Sequence, residues 1–163
     1  MSTISELRRI LGRCRTIAVI GLSPQWHRPS FFAAKYMQAH GYRIVPVNPA
    51  ATEILGERCY PGLAEAAASL AKDGAKIDMV DCFRRTEDIM PIADEAIAIG
   101  ARCLWQQIGV KNEAAAAKAR AAGLDAVMDR CVKIEHARLF GGLGWAGVNT
   151  KVISARRPQQ LFY

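Results

Sequence analysis

The chain has 163 residues, 51% hydrophobic and 23% charged, with a formal net charge of +7. One domain of ordinary size fits that length, and the balance supports a real core, which excludes a disordered tail, a collagen-like repeat and a disulfide-stapled mini-protein. The longest apolar runs have strand length, short of the roughly 18 residues a membrane span needs. With no apolar stretch behind the first basic residues, the expectation is a soluble, cytoplasmic protein without a secretory signal.

Residues 1–15 form the stretch of an N-terminal helix, after which apolar strands alternate with helices. Thr16–Gly21 (TIAVIG) is short, continuous and β-branched, the pattern of a strand covered on both faces. Pro29-Ser30 open a helix over Phe31–His40, which Gly41 stops, and Tyr42–Val47 (YRIVPV) is the second strand. Leu63–Asp73 is helical up to Gly74, and Ile77–Phe83 (IDMVDCF) is the third strand. A helix from about Glu87 to Ile99 halts at Gly100, before a fourth strand at Cys103–Ile108 (CLWQQI). Asn112 caps an Ala-rich helix through Ala122, Gly123 closes it, and Leu124–Met128 (LDAVM) is the fifth strand. Residues 134–163 read as a C-terminal extension containing a Gly-rich loop, Phe140–Gly147.

This alternation predicts a parallel sheet with right-handed crossovers. The expected fold is α/β: a doubly wound, Rossmann-like parallel sheet of about five strands, helices on both faces, in a single domain over residues 1–163.

Charge is unevenly placed. Residues 1–15 carry +3, residues 130–163 carry +5, and the stretch between them carries −1. Basic ends read either as solvated termini or as contacts for an anionic ligand; no dense Lys/Arg run interleaved with aromatics points to nucleic acid. The five cysteines form no CxxC pair and the three histidines are scattered, so neither a zinc site nor a disulfide framework is signalled. Nothing demands a homodimer, although the basic C-terminal part offers a surface for one.

Ligands of an open α/β sheet bind outside the carboxyl ends of the strands. The candidates there are Gly21, Ser23, Arg28 and Ser30 after the first strand, Asn48 and Pro49 after the second, Phe83, Arg84 and Arg85 after the third, and Gln107 and Gly109 after the fourth. The first turn is no GxGxxG: only Gly21 is present, so hydroxyls and the Arg28 guanidinium stand in as phosphate contacts. The second strand ends Val47-Asn48-Pro49, with no carboxylate before Glu53 for ribose hydroxyls. That end leans away from plain NAD and towards a nucleotide with an extra phosphate, which Arg84 and Arg85 suit; NADP and coenzyme A (CoA) both qualify. Asn48-Pro49 also has a plain turn reading. Trp26 and Trp105 read as packing residues. Cys131, at a strand end and a helix start, sits where a thiol pKa is commonly lowered.

The segments IAVIGLSPQWHRPSFFAAKYMQAHGYRIVPVNP, GERCYPGL, VDCFRR, LWQQIGV and GLDAVMDRCVKIEH together resemble the small single-domain CoA-binding proteins. These are related to the CoA-binding domain of the succinyl-CoA synthetase α subunit. The resemblance spans Ile17 to about Arg157. It implies a Rossmann-type domain that holds CoA or an acyl-CoA across the strand ends. Gly21, Ser23, Arg28 and Ser30 would meet phosphates or the start of the pantetheine arm, and Asn48 and Pro49 would flank the adenosine. Phe83, Arg84 and Arg85 would close the opposite side. The synthetase's phosphohistidine domain has no counterpart here, so ligase chemistry does not carry over. The expectation is binding without catalysis. Its alternatives are an NAD(P)-binding redox or sensor domain, a CoA-dependent thiol enzyme using Cys131, and an interaction module with a vestigial pocket.

Overall fold

The computed structural model describes residues 2–141. Five parallel strands form one sheet: β1 (Thr16–Ile20), β2 (Arg43–Val47), β5 (Met79–Cys82), β6 (Cys103–Gln106) and β7 (Asp125–Val127), in the spatial order β2-β1-β5-β6-β7. The order reverses direction beside β1, which creates a crevice at its carboxyl end where the flanking connections diverge. The helices are α1 (Ile4–Arg13), α2 (Pro29–Ala39), α3 (Leu63–Lys72), α4 (Ile89–Ala98), α5 (Glu113–Ala121) and α6 (Val132–Phe140).

Period-two alternation sends neighbouring strand residues into two separate cores. Ile17, Val19, Ile44, Met79, Cys103, Trp105 and Val127 pack with α1, α2 and Val132 of α6. Ala18, Ile20, Val45, Val80, Leu104 and Ala126 face α3, α4 and α5. Both faces of the sheet are therefore covered, as the continuous apolar strands require. Each fully buried Leu, Ile or Met in these layers contributes about 1.5–3 kcal/mol relative to exposure.

Local signals account for most boundaries. The Asn112 side chain accepts from the Ala115 amide at 2.9 Å, which starts α5. Thr3 and Glu6 form a reciprocal capping box on α1. The α1 helix is held to β7 by Arg9, whose guanidinium donates to both carboxylate oxygens of Asp125 at 2.9 and 2.7 Å.

Two elements differ from the sequence expectation. A small antiparallel pair, β3 (Glu53–Ile54) with β4 (Glu57–Arg58), leads to a parallel bridge between Val47 and Tyr60 at the edge of β2. Its turn places Leu55 at φ 56° beside Gly56 at φ 74°, and a leucine carries no sequence signal for that conformation. Residue 134, where the extension was expected to begin, lies inside α6. The remainder of the expected Gly-rich loop after Gly141 falls outside the described residues.

Candidate functional site

The connections after β1, β5, β6 and β7 meet at the carboxyl edge of the sheet around a cleft of about 1060 Å³. Each following helix begins at this edge and turns its amino end, with unpaired N–H groups, towards it. Of the eleven residues expected from sequence, nine line the cleft: Gly21, Ser23, Arg28, Ser30, Phe83, Arg84, Arg85, Gln107 and Gly109.

Asn48 and Pro49 are absent from the lining. The Asn48 amide nitrogen donates to the Leu22 carbonyl at 2.9 Å, while its oxygen accepts from the Ala50 amide at 2.9 Å. The amide nitrogen thus ties the β1–α2 loop to the end of β2, while the oxygen closes a local turn. These contacts fit the turn reading of Asn48.

That loop is braced internally as well. The Ser23 amide donates to the Ser30 hydroxyl at 3.0 Å, and the Gln25 amide donates to the Ser23 hydroxyl at 3.1 Å. Arg28 is the N-cap residue of α2 but supplies no side-chain cap, and Pro29 opens the helix. Its guanidinium Nε donates instead to Gln25 Oε1 at 3.3 Å, on the exposed rim. Trp26, read from sequence as a packing residue, is 72% exposed on the same loop. Trp105 does pack: it is fully buried, and its indole N–H donates to the Arg130 carbonyl at 2.7 Å.

The two arginines after β5 differ. Arg85 Nε pairs with Asp88 at 3.2 Å and with Glu87 at 3.5 Å. Arg84 is exposed and has no hydrogen-bond or ion-pair partner among the described residues. Of these two arginines, Arg84 is the one whose cation meets no carboxylate among the described residues.

The β6–α5 loop is fixed from the β7 side. Asp129, at φ 54°, accepts from the Gly109 amide through its side chain at 2.8 Å and donates its own amide to the Val110 carbonyl at 3.1 Å. Gln107, which is 4% exposed, donates from Nε2 to Asp81 Oδ1 at 2.5 Å. Burial pushes the Asp81 carboxyl up to about 7, against the lowering effect of that hydrogen bond.

Cys131 also lines the cleft, as the N-cap of α6. The sequence suggested a lowered thiol pKa there; the structure gives the opposite. Burial raises it, and this outweighs the amides of Lys133 and Ile134 that favour the thiolate. Gln25, Pro29, Asp88, Ile108, Val110 and Ile134 also line the cleft and are not among the sequence candidates. Ile108 looked like an ordinary strand residue, and Ile134 reaches the cleft only because α6 starts at Val132. Among the described residues no cluster of metal-ligating side chains occurs, and no helix is long and apolar enough to cross a membrane.

The CoA binding domain family matches residues 15–137. The chain belongs to the CoA-binding domain family. The matched span runs from just before β1 into α6, so every cleft residue falls within it. Uncharacterized protein YneT of Bacillus subtilis (strain 168) is 38% identical over 133 residues, covering 82% of this CoA-binding domain protein and 93% of the relative. The crystal structure of Prb, a PH1109 protein redesigned for binding, superposes with a TM-score of 0.79 at 36% identity, covering 86% of this chain and 94% of that one. A hypothetical protein from Pyrococcus horikoshii OT3 gives 0.77 at 38% identity, with coverage of 86% and 94%. These likenesses agree on a Rossmann-like α/β domain of nearly the same extent.

Proposed function

We propose that this CoA-binding domain protein holds coenzyme A or an acyl-CoA in the cleft at the carboxyl ends of its strands, without a reaction of its own. One observation carries the reading. In a chain of this family, Arg28, Arg84 and Arg85 line a single cleft whose floor at Gly21 has no side chain. CoA carries a diphosphate and a ribose 3′-phosphate, and guanidinium groups suit both. Arg84 is the arginine best placed for the 3′-phosphate, since its cation has no carboxylate partner among the described residues, while Arg28 and the amino end of α2 suit the diphosphate.

The neutral side of the cleft suits the rest of the ligand. Ile108, Val110 and Ile134 offer apolar surface, and Gln107 an amide, to an uncharged arm bearing amides of its own. The thiol in the lining, Cys131, is shifted by burial towards its protonated form, which disfavours it as a nucleophile.

The test is isothermal titration of the purified protein with CoA, 3′-dephospho-CoA, NAD and NADP, repeated with Arg84→Ala. The expected result is binding of CoA that weakens by about tenfold on losing either the 3′-phosphate or Arg84, as removal of one charge-assisted pair does. Binding of NADP in preference to CoA overturns the ligand assignment. Silence from all four leaves an interaction module.

A further inference from the structure

Asp81 lies on β5, level with Val19 of β1 and Trp105 of β6, at the centre of the sheet. It is 1% exposed, and its Oδ2 has no hydrogen-bond partner among the described residues. A carboxyl group in an apolar core is costly, and an orphaned oxygen adds to that cost. Packing alone would be served by an apolar residue at this position. Among the described residues the one polar side chain Asp81 engages is Gln107, which also lines the cleft.

The remaining surroundings are neutral. The titratable groups that feel the Asp81 charge are Cys82 on β5, Cys103 on β6 and Cys131 at the start of α6, all with thiol pKa values raised by burial. Val19 and Trp105 flank it across the sheet, and no cation pairs with it among the described residues. Its partner in every protonation state is therefore Gln107.

We propose that Asp81 is a positioning residue for Gln107, and that together they fix a hydrogen-bond acceptor at the cleft floor for an N–H donor on the uncharged arm of the ligand. This rests on the CoA reading above, and within it assigns Gln107 to the pantetheine amides. The chemistry follows from what each group can donate. An ionised carboxylate only accepts, so Gln107 must turn its NH₂ to Asp81 and its oxygen to the cleft. A protonated Asp81 carries an O–H donor, for which the Gln107 oxygen is the available acceptor. Meeting it requires the amide to rotate, and the cleft then receives the NH₂ in place of the oxygen. The charge on Asp81 thus selects the polarity that the cleft floor shows. The carboxyl's displacement to about 7 places that exchange near neutral pH.

The experiment is titration of CoA, and separately of 3′,5′-ADP, into wild type, Asp81→Asn and Gln107→Leu between pH 5.5 and 8.5. Asp81→Asn is nearly isosteric and does not titrate, so melting curves should show it folded, and its profile serves as the reference with a pH-independent side chain at this position. The ligand's phosphate ionisation is common to all proteins, so the difference between profiles isolates Asp81. Expected is a wild-type CoA affinity that rises by about fivefold or more through pH 7 relative to Asp81→Asn, as the gain of one hydrogen bond gives. Gln107→Leu should weaken CoA by about tenfold. With 3′,5′-ADP, which lacks the arm, all three proteins should agree. If wild type binds CoA but the profiles of wild type and Asp81→Asn coincide, or Gln107→Leu binds CoA unchanged, the positioning role is wrong while the CoA reading stands. A loss of 3′,5′-ADP affinity in Gln107→Leu equal to that for CoA places Gln107 at the nucleotide and overturns the assignment to the arm. Absence of CoA binding by wild type at every pH overturns both.

Discussion

A Cβ built on Gly21, at the end of β1, would sit 2.6 Å from the carbonyl oxygen of Phe83, at the end of β5. The two strand ends approach so closely that a methyl group cannot pass between them, and Gly21 at φ 81° is also in a conformation L residues avoid. Gly21→Ala is therefore expected to cost about 1–3 kcal/mol of stability and to push the two walls of the cleft apart. Urea unfolding gives the first effect and CoA titration the second; a variant as stable as wild type and binding equally well would show that the contact relaxes freely.

Arg84 and Arg85 are adjacent in sequence but should not behave alike. Arg85 already pairs with Asp88 and Glu87, so a ligand phosphate must compete with two carboxylates for it. Arg85→Ala is expected to weaken CoA binding by a factor of about two or three, against about ten for Arg84→Ala. Comparing the two dissociation constants at low and moderate salt checks this. Equal losses would mean that the exposed pairs of Arg85 open on binding.

His136 gives the fold a measurable acid sensitivity. It is buried between α2 and α6, with Nδ1 3.1 Å from the Tyr36 hydroxyl, and burial lowers its pKa to about 4, with His40 and Arg15 nearby adding to the shift. The unfolded chain, with an ordinary histidine, takes up a proton near pH 6.5, whereas the folded protein does so near 4. Protons therefore favour unfolding between those values, and the His136 contribution to stability falls as pH drops through that window. Asp81 acts in the opposite sense: its folded value near 7 lies above the unfolded value of 3.8, so its contribution is greatest in acid and fades as pH rises towards 7. The two slopes oppose each other over this window. Melting temperature should therefore fall with rising pH more steeply than in wild type in His136→Phe, and should rise with pH more steeply than in wild type in Asp81→Asn. Unchanged curves in both would remove these two groups as the source.

Cys131 is the half-buried thiol of the five; Cys14, Cys59, Cys82 and Cys103 are buried. Alkylation of the native protein should modify Cys131 first, at a rate still rising with pH above the ordinary thiol value of 9.0. Mass spectrometry of the labelled peptide identifies the site. A rate that levels off below that pH would reveal an activated thiolate and revive the thiol-enzyme alternative.

The strands were legible because each is a short, continuous, β-branched run, and four helix ends were legible because Gly41, Gly74, Gly100 and Gly123 each take positive φ. The positions at the strand ends followed from topology, which is why nine of the eleven candidates share one cleft. Asn48 lies outside the cleft lining, and its place was not legible because a polar residue after a strand has the same sequence signature whether it meets a ligand or staples a loop. The Asp81–Gln107 pair could not be read at all. Their contact depends on the pairing of Cys82 with Gln106, which brings residues 26 positions apart within hydrogen-bond reach. Nothing in either local segment encodes that register, and an aspartate inside an apolar strand reads as an interruption of the pattern.

The brace between Ser23, Gln25, Ser30 and Asn48 has a kinetic consequence. Because the β1–α2 loop is already tied to itself and to β2, little conformational entropy remains to be lost when a phosphate arrives there. Association should be a single bimolecular step whose rate scales with ligand concentration without reaching a plateau, accelerated at low ionic strength by the arginine rim. Differences among related ligands should then appear in how long each stays, set by its contacts beyond the phosphates, since all would arrive at nearly the same speed.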